Sequence, residues 1–273
     1  MNIQEIIKIL TDSGMEKNEA SAEVKLLIEH FCAYGVKDII SARPLDYEKL
    51  KIVKEKAEFR AKTHCPIQYI IGYVYFMRNK YTVTPDVLIP RDETELVVLH
   101  AINIINKHKF KNILEIGTGS GCIACSVAQN TDCIITASDI SIKALDIAKK
   151  NAANLNIKNI EFINSDIYDN ITKKFDLIIS NPPYVPRNAK VQKELSYEPA
   201  EALFTNDDIG VEYHRKIIQE AEKYLNDDGY IVFELGLGQS DIVKRYFEET
   251  GYKDIVILKD LAGIDRVISA RRA

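Results

Sequence analysis

Residues Asn112-Ile113-Leu114-Glu115-Ile116-Gly117-Thr118-Gly119-Ser120-Gly121-Cys122 decide the fold class. The run 113–116 is a short apolar strand, and the glycines after it form a turn. Apolar residues at helical spacing over 122–128 then open a helix. Glycines between a strand and a helix permit a tight turn and let a ligand approach the backbone closely. The same rhythm repeats downstream, with short buried strands expected over 134–137, 160–163, 175–179, 230–233, 255–258 and 267–270 and a helix over 142–155. Strands alternating with amphipathic helices specify a mainly parallel, doubly wound α/β sheet. Only Lys259 to Asp265 separates the last two strands, too little for a parallel crossover, so they should pair antiparallel.

Upstream the periodicity is helical. Ile3, Ile6, Ile7 and Leu10 form one stripe, and Ala22, Leu26, Leu27 and Phe31 a second. Pro44 should open a third helix carrying Leu50, Val53, Ala57 and Ala61. These periods predict a small helical bundle over residues 1–70. A β-hairpin over 73–76 and 80–83, within a linker at 71–90, should lead to a helix at 93–106 in a catalytic domain at 91–273.

The chain has 273 residues, and 46% of them are hydrophobic, enough for a sizeable core. Its net charge of −4 is too mild to argue for a nucleic-acid groove. Residues 1–80 hold 13 Lys and Arg against 11 Asp and Glu, and the rest hold 23 against 29, so any basic bias lies in front. The five cysteines (Cys32, Cys65, Cys122, Cys125, Cys133) are odd in number and fit buried thiols in a reducing cytosol better than a disulfide framework. Cys122 and Cys125 lie in the expected helix without a second Cys or His cluster, and the histidines lack metal-ligand spacing, so no metal is expected. Residues 1–17 lack a signal-peptide layout and no run approaches membrane-span length, which predicts a soluble, cytoplasmic protein with no membrane partner.

The glycine loop reads Gly117-x-Gly119-x-Gly121 with Glu115 before it, unlike the G-x-G-x-x-G of dinucleotide enzymes. No Gly-Lys-Ser/Thr follows, so it is not a P-loop. Asp139 closes the second strand, where a carboxylate can accept both hydroxyls of a ribose. The combination points to an adenosine-containing cofactor, either a nicotinamide dinucleotide or S-adenosyl-L-methionine.

Asn181-Pro182-Pro183-Tyr184 separates those two. It follows the strand at 175–179, on the sheet edge where open parallel sheets bind ligands. Two prolines remove two backbone donors, so the Pro182 carbonyl and the Asn181 side-chain oxygen can present acceptors to an NH₂ group. Tyr184 would supply a flat face for stacking. An amide or aryl-amine nitrogen is a poor nucleophile, and acceptors aimed at its N–H bonds stabilise the positive charge that grows during methyl transfer. The residues therefore predict a methyltransferase acting on a planar nitrogen, with no general base required before transfer.

These residues resemble the release-factor glutamine N5-methyltransferases. The resemblance runs through Pro66-x-x-Tyr69-Ile70-x-Gly72 with Phe76, and Val87-Leu88-Ile89-Pro90-Arg91-x-Glu93-Thr94-Glu95. It continues through Glu115 to Gly121, Asp139, Asn181 to Tyr184, Glu198-Pro199-x-x-Ala202-Leu203, and Lys259-Asp260-Leu261-Ala262-Gly263-x-Asp265-Arg266. It implies a class I S-adenosylmethionine-dependent, Rossmann-like fold and a substrate: the glutamine of the Gly-Gly-Gln tripeptide in class-1 peptide chain release factors. That glutamine would enter between Asn181 and Tyr184, with the helical bundle and hairpin gripping the release factor. Glu115, Gly117, Thr118, Gly119, Ser120 and Gly121 would line the methionine end, Asp139 with Ile140 the ribose, and Asp166 with Ile167 the adenine. The donor would be S-adenosyl-L-methionine and the product S-adenosyl-L-homocysteine, without a metal.

Three departures stand out. Ile167 occupies a place often taken by Trp, and Asp92 replaces a Pro and should act as a helix N-cap. The family's glycine-rich stretch after Leu203 reads Phe204-Thr205-Asn206-Asp207-Asp208-Ile209-Gly210 here. Asn-Pro-Pro-Tyr alone is shared with adenine and guanine methyltransferases, but those need a basic surface, and the acidic balance after residue 80 counts against one. No stable nucleic-acid partner is therefore expected. A non-catalytic binding module is the third reading, and the intact loop and Asn-Pro-Pro-Tyr segment argue against it.

Overall fold

A computed structural model describes residues 2–35, 37–38, 41 and 43–273. They divide into two compact units, one reaching to Tyr73 and taking in Gln192–Tyr197, the other comprising Val74–Val191 and Glu198–Ala273.

The first unit is helical: α1 Ile3–Asp12, α2 Lys17–Cys32, α3 Tyr47–Thr63 and the short α4 Ile67–Ile71. Asn2 caps α1 in a reciprocal capping box with Glu5. The third helix begins at Tyr47 rather than Pro44, because the Asp46 carboxylate accepts from the Glu48 N–H and caps it there. The stripe of α2 is rotated from the expected one: Ala20, Val24, Leu27 and Ile28 are buried, whereas Ala22 is exposed and Leu26 and Phe31 are half-buried. Ala20, Val24, Leu27 and Ile28 recur at helical spacing themselves, and the inner face they form also carries a charged residue. Glu23 is buried against Arg60 of α3, whose Nε and Nη2 reach its carboxylate at 3.1–3.3 Å. Arg60 also reaches Glu194 at 3.3 Å, and the Tyr197 hydroxyl donates to the Thr63 carbonyl at 2.8 Å, which ties 192–197 to this unit.

Hairpin strands β1 Tyr73–Phe76 and β2 Asn79–Thr82 follow, joined by Met77-Arg78. Both turn residues have positive φ, 46° and 64°, the mirror-image turn that matches strand twist, here without glycine.

The second unit is built on a seven-stranded sheet. Its strands are β3 Asn112–Ile116, β4 Ile134–Asp139, β5 Ile160–Asn164, β6 Phe175–Ser180, β7 Leu225–Glu234, β8 Lys253–Lys259 and β9 Asp265–Arg271. They lie in the order β5-β4-β3-β6-β7-β9-β8. The first five of that order pair parallel, and β9 inserts antiparallel between β7 and β8. Side chains alternate between faces as strand geometry requires. Ile113, Leu177, Ile179, Val232 and Val267 join one core with helices α5 Thr94–His108 and α6 Cys122–Asn130. Leu114, Ile178, Ile231, Phe233 and Ile268 join the opposite core with α9 Glu212–Glu220 and α10 Ser240–Glu249. In chain order α7 Ile142–Asn154 and the short α8 Ala200–Leu203 fall between α6 and α9, and Ala152 of α7 joins the first core.

Asp92 does not cap α5. The cap position is Glu93, without a side-chain hydrogen bond, because a tight turn in which Thr94, Glu95 and Leu96 N–H donate to the carbonyls of Arg91, Asp92 and Glu93 leads straight into the helix. All five cysteines are buried and free.

Candidate active site

The strand order reverses direction at β3, and parallel sheets open a crevice beyond the carboxyl ends of the strands at such a point. A cavity of about 690 Å³ lies there, within the second unit. Its lining includes Gly117, Gly119, Asp139, Ile140, Asp166, Ile167, Asn181, Pro182 and Pro183. Pro85 to Leu88, Pro199, Glu201, Ala202, Tyr213 and Lys216 close other sides.

The glycine turn hangs from β4: the N–H groups of Gly117 and Thr118 both donate to the Ser138 carbonyl at 2.9 Å. Gly117 and Gly119 have φ of +74° and +54°, and a Cβ on either would meet open space, so a ligand can lie against their backbone. Gly121 serves packing instead, because its Cβ would sit 3.0 Å from that of Ala148 on α7. Thr118 and Ser120 are buried behind the turn, where the Thr118 hydroxyl donates to Glu115 at 2.6 Å and the Ser120 carbonyl accepts from Asn151 at 2.9 Å. Glu115, Thr118, Ser120 and Gly121 therefore shape the loop without lining the cavity wall.

Glu115 is 1% exposed, and its Oε1 has no hydrogen-bond partner, while Oε2 accepts from Thr118 and from the Ala124 N–H. Burial pushes its carboxyl up to about 8. Asp139 is buried at the cavity edge, its Oδ2 accepting from Gly119 N–H at 2.8 Å and its Oδ1 from Ser141 N–H at 2.9 Å. A carboxylate has about four acceptor sites, and with the backbone N–H groups of Ser141, Gly119 and Ile140 on it capacity remains for a hydroxyl. Burial raises the Asp139 pKa, and its backbone hydrogen bonds oppose that shift. Ile140 and Ile167 supply apolar walls, Ile167 from a left-handed φ of 46°. Open glycines, the carboxylate of Asp139 and these walls fit an adenosine-bearing cofactor.

Asn181 begins where β6 ends. The Ser180 hydroxyl donates to the Ile116 carbonyl at 2.7 Å, which locks β6 to β3 just before it. The Asn181 Nδ2 donates to Thr94 Oγ1 at 3.4 Å, so the amide NH₂ points away from the remaining acceptor, Oδ1. Tyr184 is half-buried and does not line the cavity wall; its hydroxyl donates to Glu234 at 3.1 Å and its carbonyl accepts from Gln239 at 2.9 Å. The stacking face expected of Tyr184 is therefore not on the cavity wall, because these two bonds hold the residue behind it.

Several members of this site escaped the sequence reading. Glu234 ends β7 as Asp139 ends β4, an acid closing a buried strand, and that signal was available. Gln239 donates to the carbonyls of Tyr184, Ile209 and Gly210. The loop at 204–210 is organised by Asp207, whose carboxylate accepts from the N–H groups of Gly210 and Val211 at 3.0 and 3.1 Å. The two motif segments 87–95 and 198–203 meet at Glu198, which pairs with Arg91 and accepts from the Ile89 N–H at 3.1 Å.

Residues 96–254 match the Methyltransferase small domain family. The chain is 41% identical over 234 residues to the release factor glutamine methyltransferase of Francisella tularensis, covering 84% of this chain and 82% of that protein. It is 40% identical over 236 residues to the one from Thermodesulfovibrio yellowstonii, covering 83% of each. Among solved structures, a Thermus thermophilus 16S rRNA N2 G1207 methyltransferase with AdoMet and guanosine superposes with a TM-score of 0.54 at 15% identity, over 74% of this chain and 50% of that one. A ribosomal protein L11 methylase from Lactobacillus delbrueckii gives 0.52 at 18% identity, over 70% and 84%.

Proposed function

The chain belongs to the release factor glutamine methyltransferase family, and on that premise we propose that it methylates N5 of the glutamine in the Gly-Gly-Gln motif of class-1 peptide chain release factors. Its sheet order and antiparallel last strand are those of the class I S-adenosylmethionine-dependent methyltransferase fold. The observation that carries the proposal is the placement of Asn181 on one wall of the cavity whose other walls hold Gly117, Gly119 and Asp139.

S-adenosyl-L-methionine supplies a methyl group on a positively charged sulfur and leaves as S-adenosyl-L-homocysteine. The protein's own residues do the rest. Gly117 and Gly119 would admit the methionine end, Asp139 with Ile140 would hold the ribose, and Asp166 with Ile167 would bound the adenine, all of them lining residues of the cavity. Asn181 Oδ1 and the Pro182 carbonyl accept the two N–H bonds of the glutamine amide. That orients its nitrogen lone pair toward the methyl carbon and stabilises the charge that grows there. Transfer would break the donor's S–CH₃ bond as the N–CH₃ bond forms, and the surplus proton on the nitrogen would then pass to solvent. No metal ion enters this scheme.

Residues 1–70 would recognise the body of the release factor, with 71–90 as the linker to the catalytic domain. Modification of that glutamine would modulate translation termination, which places the enzyme in the cytoplasm. Among the described residues no helix is long and apolar enough to cross a membrane.

The test supplies purified protein with methyl-labelled S-adenosylmethionine and an unmodified release factor, wild type or with the tripeptide glutamine changed. Label should enter only the intact tripeptide. Asn181→Ala should lower turnover by at least a hundredfold while affinity for S-adenosylhomocysteine falls much less. Label in nucleic acid instead would overturn the substrate, and near-normal turnover by the variant would overturn the site.

A further inference from the structure

We propose that Glu234 is a positioning residue: through Thr94 and Tyr184 it sets which end of the Asn181 amide is offered to the substrate nitrogen. The inference rests on the reading of Asn181 as the acceptor of the substrate N–H, and it adds what fixes that acceptor in place.

An asparagine amide has nearly the same shape either way round, so only its hydrogen bonds decide which end points where. Glu234 is 1% exposed at the carboxyl end of β7. Its Oε2 accepts from the Thr94 hydroxyl at 2.6 Å and its Oε1 from the Tyr184 hydroxyl at 3.1 Å. A hydroxyl has one proton. Once Thr94 has given it to the carboxylate, its oxygen can only accept, and the group facing it is Asn181 Nδ2 at 3.4 Å, the long end of the range. The NH₂ end is thereby spent on Thr94, and Oδ1 is left for a donor in the cavity. The negative charge on Glu234 is thus passed through one hydroxyl into the polarity of the amide. The same carboxylate holds the hydroxyl of Tyr184, so both ends of the Asn-Pro-Pro-Tyr segment rest on it.

Protonation of Glu234 on Oε2, the oxygen that faces Thr94, breaks this order. The carboxyl proton then competes for the Thr94 oxygen, and the Thr94 proton turns toward Asn181. The amide answers by presenting its oxygen to Thr94 and its NH₂ to the cavity. An NH₂ facing the NH₂ of a glutamine cannot bind it.

The charged and titratable groups around Glu234 come from several elements. Glu93 before α5 adds like charge, and Arg266 on β9 adds opposite charge while paired with Asp260 at 2.9 Å. Cys122 on α6 has its thiol pushed up by burial, and the Tyr184 hydroxyl is likewise pushed above its ordinary value by burial, so both stay protonated. His214 on α9 reaches the Glu234 carbonyl at 2.8 Å and is held down to about 4 by burial, so it stays neutral and adds no titration near pH 7. Burial pushes the Glu234 carboxyl up to about 7, against the pull of Thr94, Tyr184 and Arg266.

The experiment measures kcat and KM from pH 6 to 9 for full-length wild type, Thr94→Val, Thr94→Ser and Glu234→Gln, with Asn side-chain amide NMR on the same proteins. Wild-type kcat should fall on the acid side with an apparent pKa near 7. Thr94→Val should lose at least tenfold in kcat at pH 8 with the KM for the methyl donor unchanged, and Thr94→Ser should restore it. A glutamine at 234 can still accept from Thr94 while its NH₂ donates to the Tyr184 oxygen, so Glu234→Gln should lose the acid limb whatever its turnover at pH 8. The Asn181 amide resonances should follow the same pKa in wild type and stand still in Glu234→Gln. A wild-type turnover from Thr94→Val, or an acid limb kept by Glu234→Gln, overturns the proposal. If the resonances titrate as expected but no release factor is methylated, the positioning role stands and the substrate reading falls. Resonances that do not titrate in folded wild type sink the positioning role itself.

Discussion

Gly210 is where the structure makes its sharpest demand on a single residue. Its φ is +82°, and a Cβ added there would sit 2.1 Å from the Tyr184 carbonyl oxygen and 2.5 Å from Gln239 Nε2. The first obstacle is main chain and cannot swing aside. The second is an amide already engaged with the Tyr184, Ile209 and Gly210 carbonyls. For Gly210→Ala the left-handed conformation costs about 1–2 kcal/mol, and relief of the overlap about 1–3 kcal/mol more. At roughly 2–4 °C per kcal/mol for a unit of this size, the melting temperature should fall by roughly 4–20 °C. The backbone has to yield at Tyr184, three residues from Asn181, and a shift approaching 1 Å there should cost about a hundredfold in kcat. Gly238 is the control: its φ is +78°, but nothing lies within 4 Å of its Cβ position. Gly238→Ala should pay only for the left-handed conformation and keep its turnover. Thermal melts, calorimetry with S-adenosylhomocysteine and methyl-transfer rates on the two variants decide the matter. Equal melting shifts with full turnover from Gly210→Ala would refute the close packing of this loop on the Tyr184 carbonyl.

Asp139→Ala leaves the N–H groups of Gly119 and Ser141 without their acceptor and removes the proposed ribose contact, so affinity for S-adenosylhomocysteine should drop at least tenfold by calorimetry; an unchanged affinity would end that assignment. Glu115, pushed up to about 8, binds its proton more tightly folded than unfolded, so its contribution to stability is complete below about pH 4.5 and is lost as pH rises through 8. Glu234 acts in the same direction up to about 7, and the free protein should lose on the order of a few kcal/mol between pH 5 and 9. Glu115→Gln should flatten that slope in denaturation midpoints, and an unaltered slope would show that Glu115 is ionised as readily folded as unfolded. Arg60→Met strands the buried Glu23 carboxylate and should destabilise the helical unit by about 3–5 kcal/mol, with Glu23→Met in the same chain recovering most of it. Hydrogen exchange in α2 and α3 reads this out, and no change in protection would mean that the pair is not buried in solution.

The parallel sheet was legible because its strands are buried on both faces, and mostly apolar runs such as 113–116 and 175–179, each broken by a single acid, survive in the sequence without knowledge of their neighbours. The antiparallel end followed from the short link before Asp265. What the sequence concealed are features that exist only in pairs. Nothing in the sequence pairs Glu23 with Arg60, 37 positions on, yet the two are buried together and put Glu23 on the inner face of α2. Gln239 bears no sign that its amide will brace a tyrosine carbonyl 55 positions earlier. The glycines make the same point within one loop. Gly117, Gly119 and Gly121 all have positive φ, yet a Cβ meets open space at the first two and Ala148 at the third. Their spacing announced a ligand loop, but only the partner helix distinguishes glycines that admit a ligand from one that admits a helix. Asn181 stands at the opposite end of this range. Its place after a buried strand was legible, whereas the direction of its amide depends on a hydroxyl 87 positions away and, behind that, on a carboxylate from β7. A motif can therefore identify the acceptor in such a site, while its orientation is set by residues outside the motif.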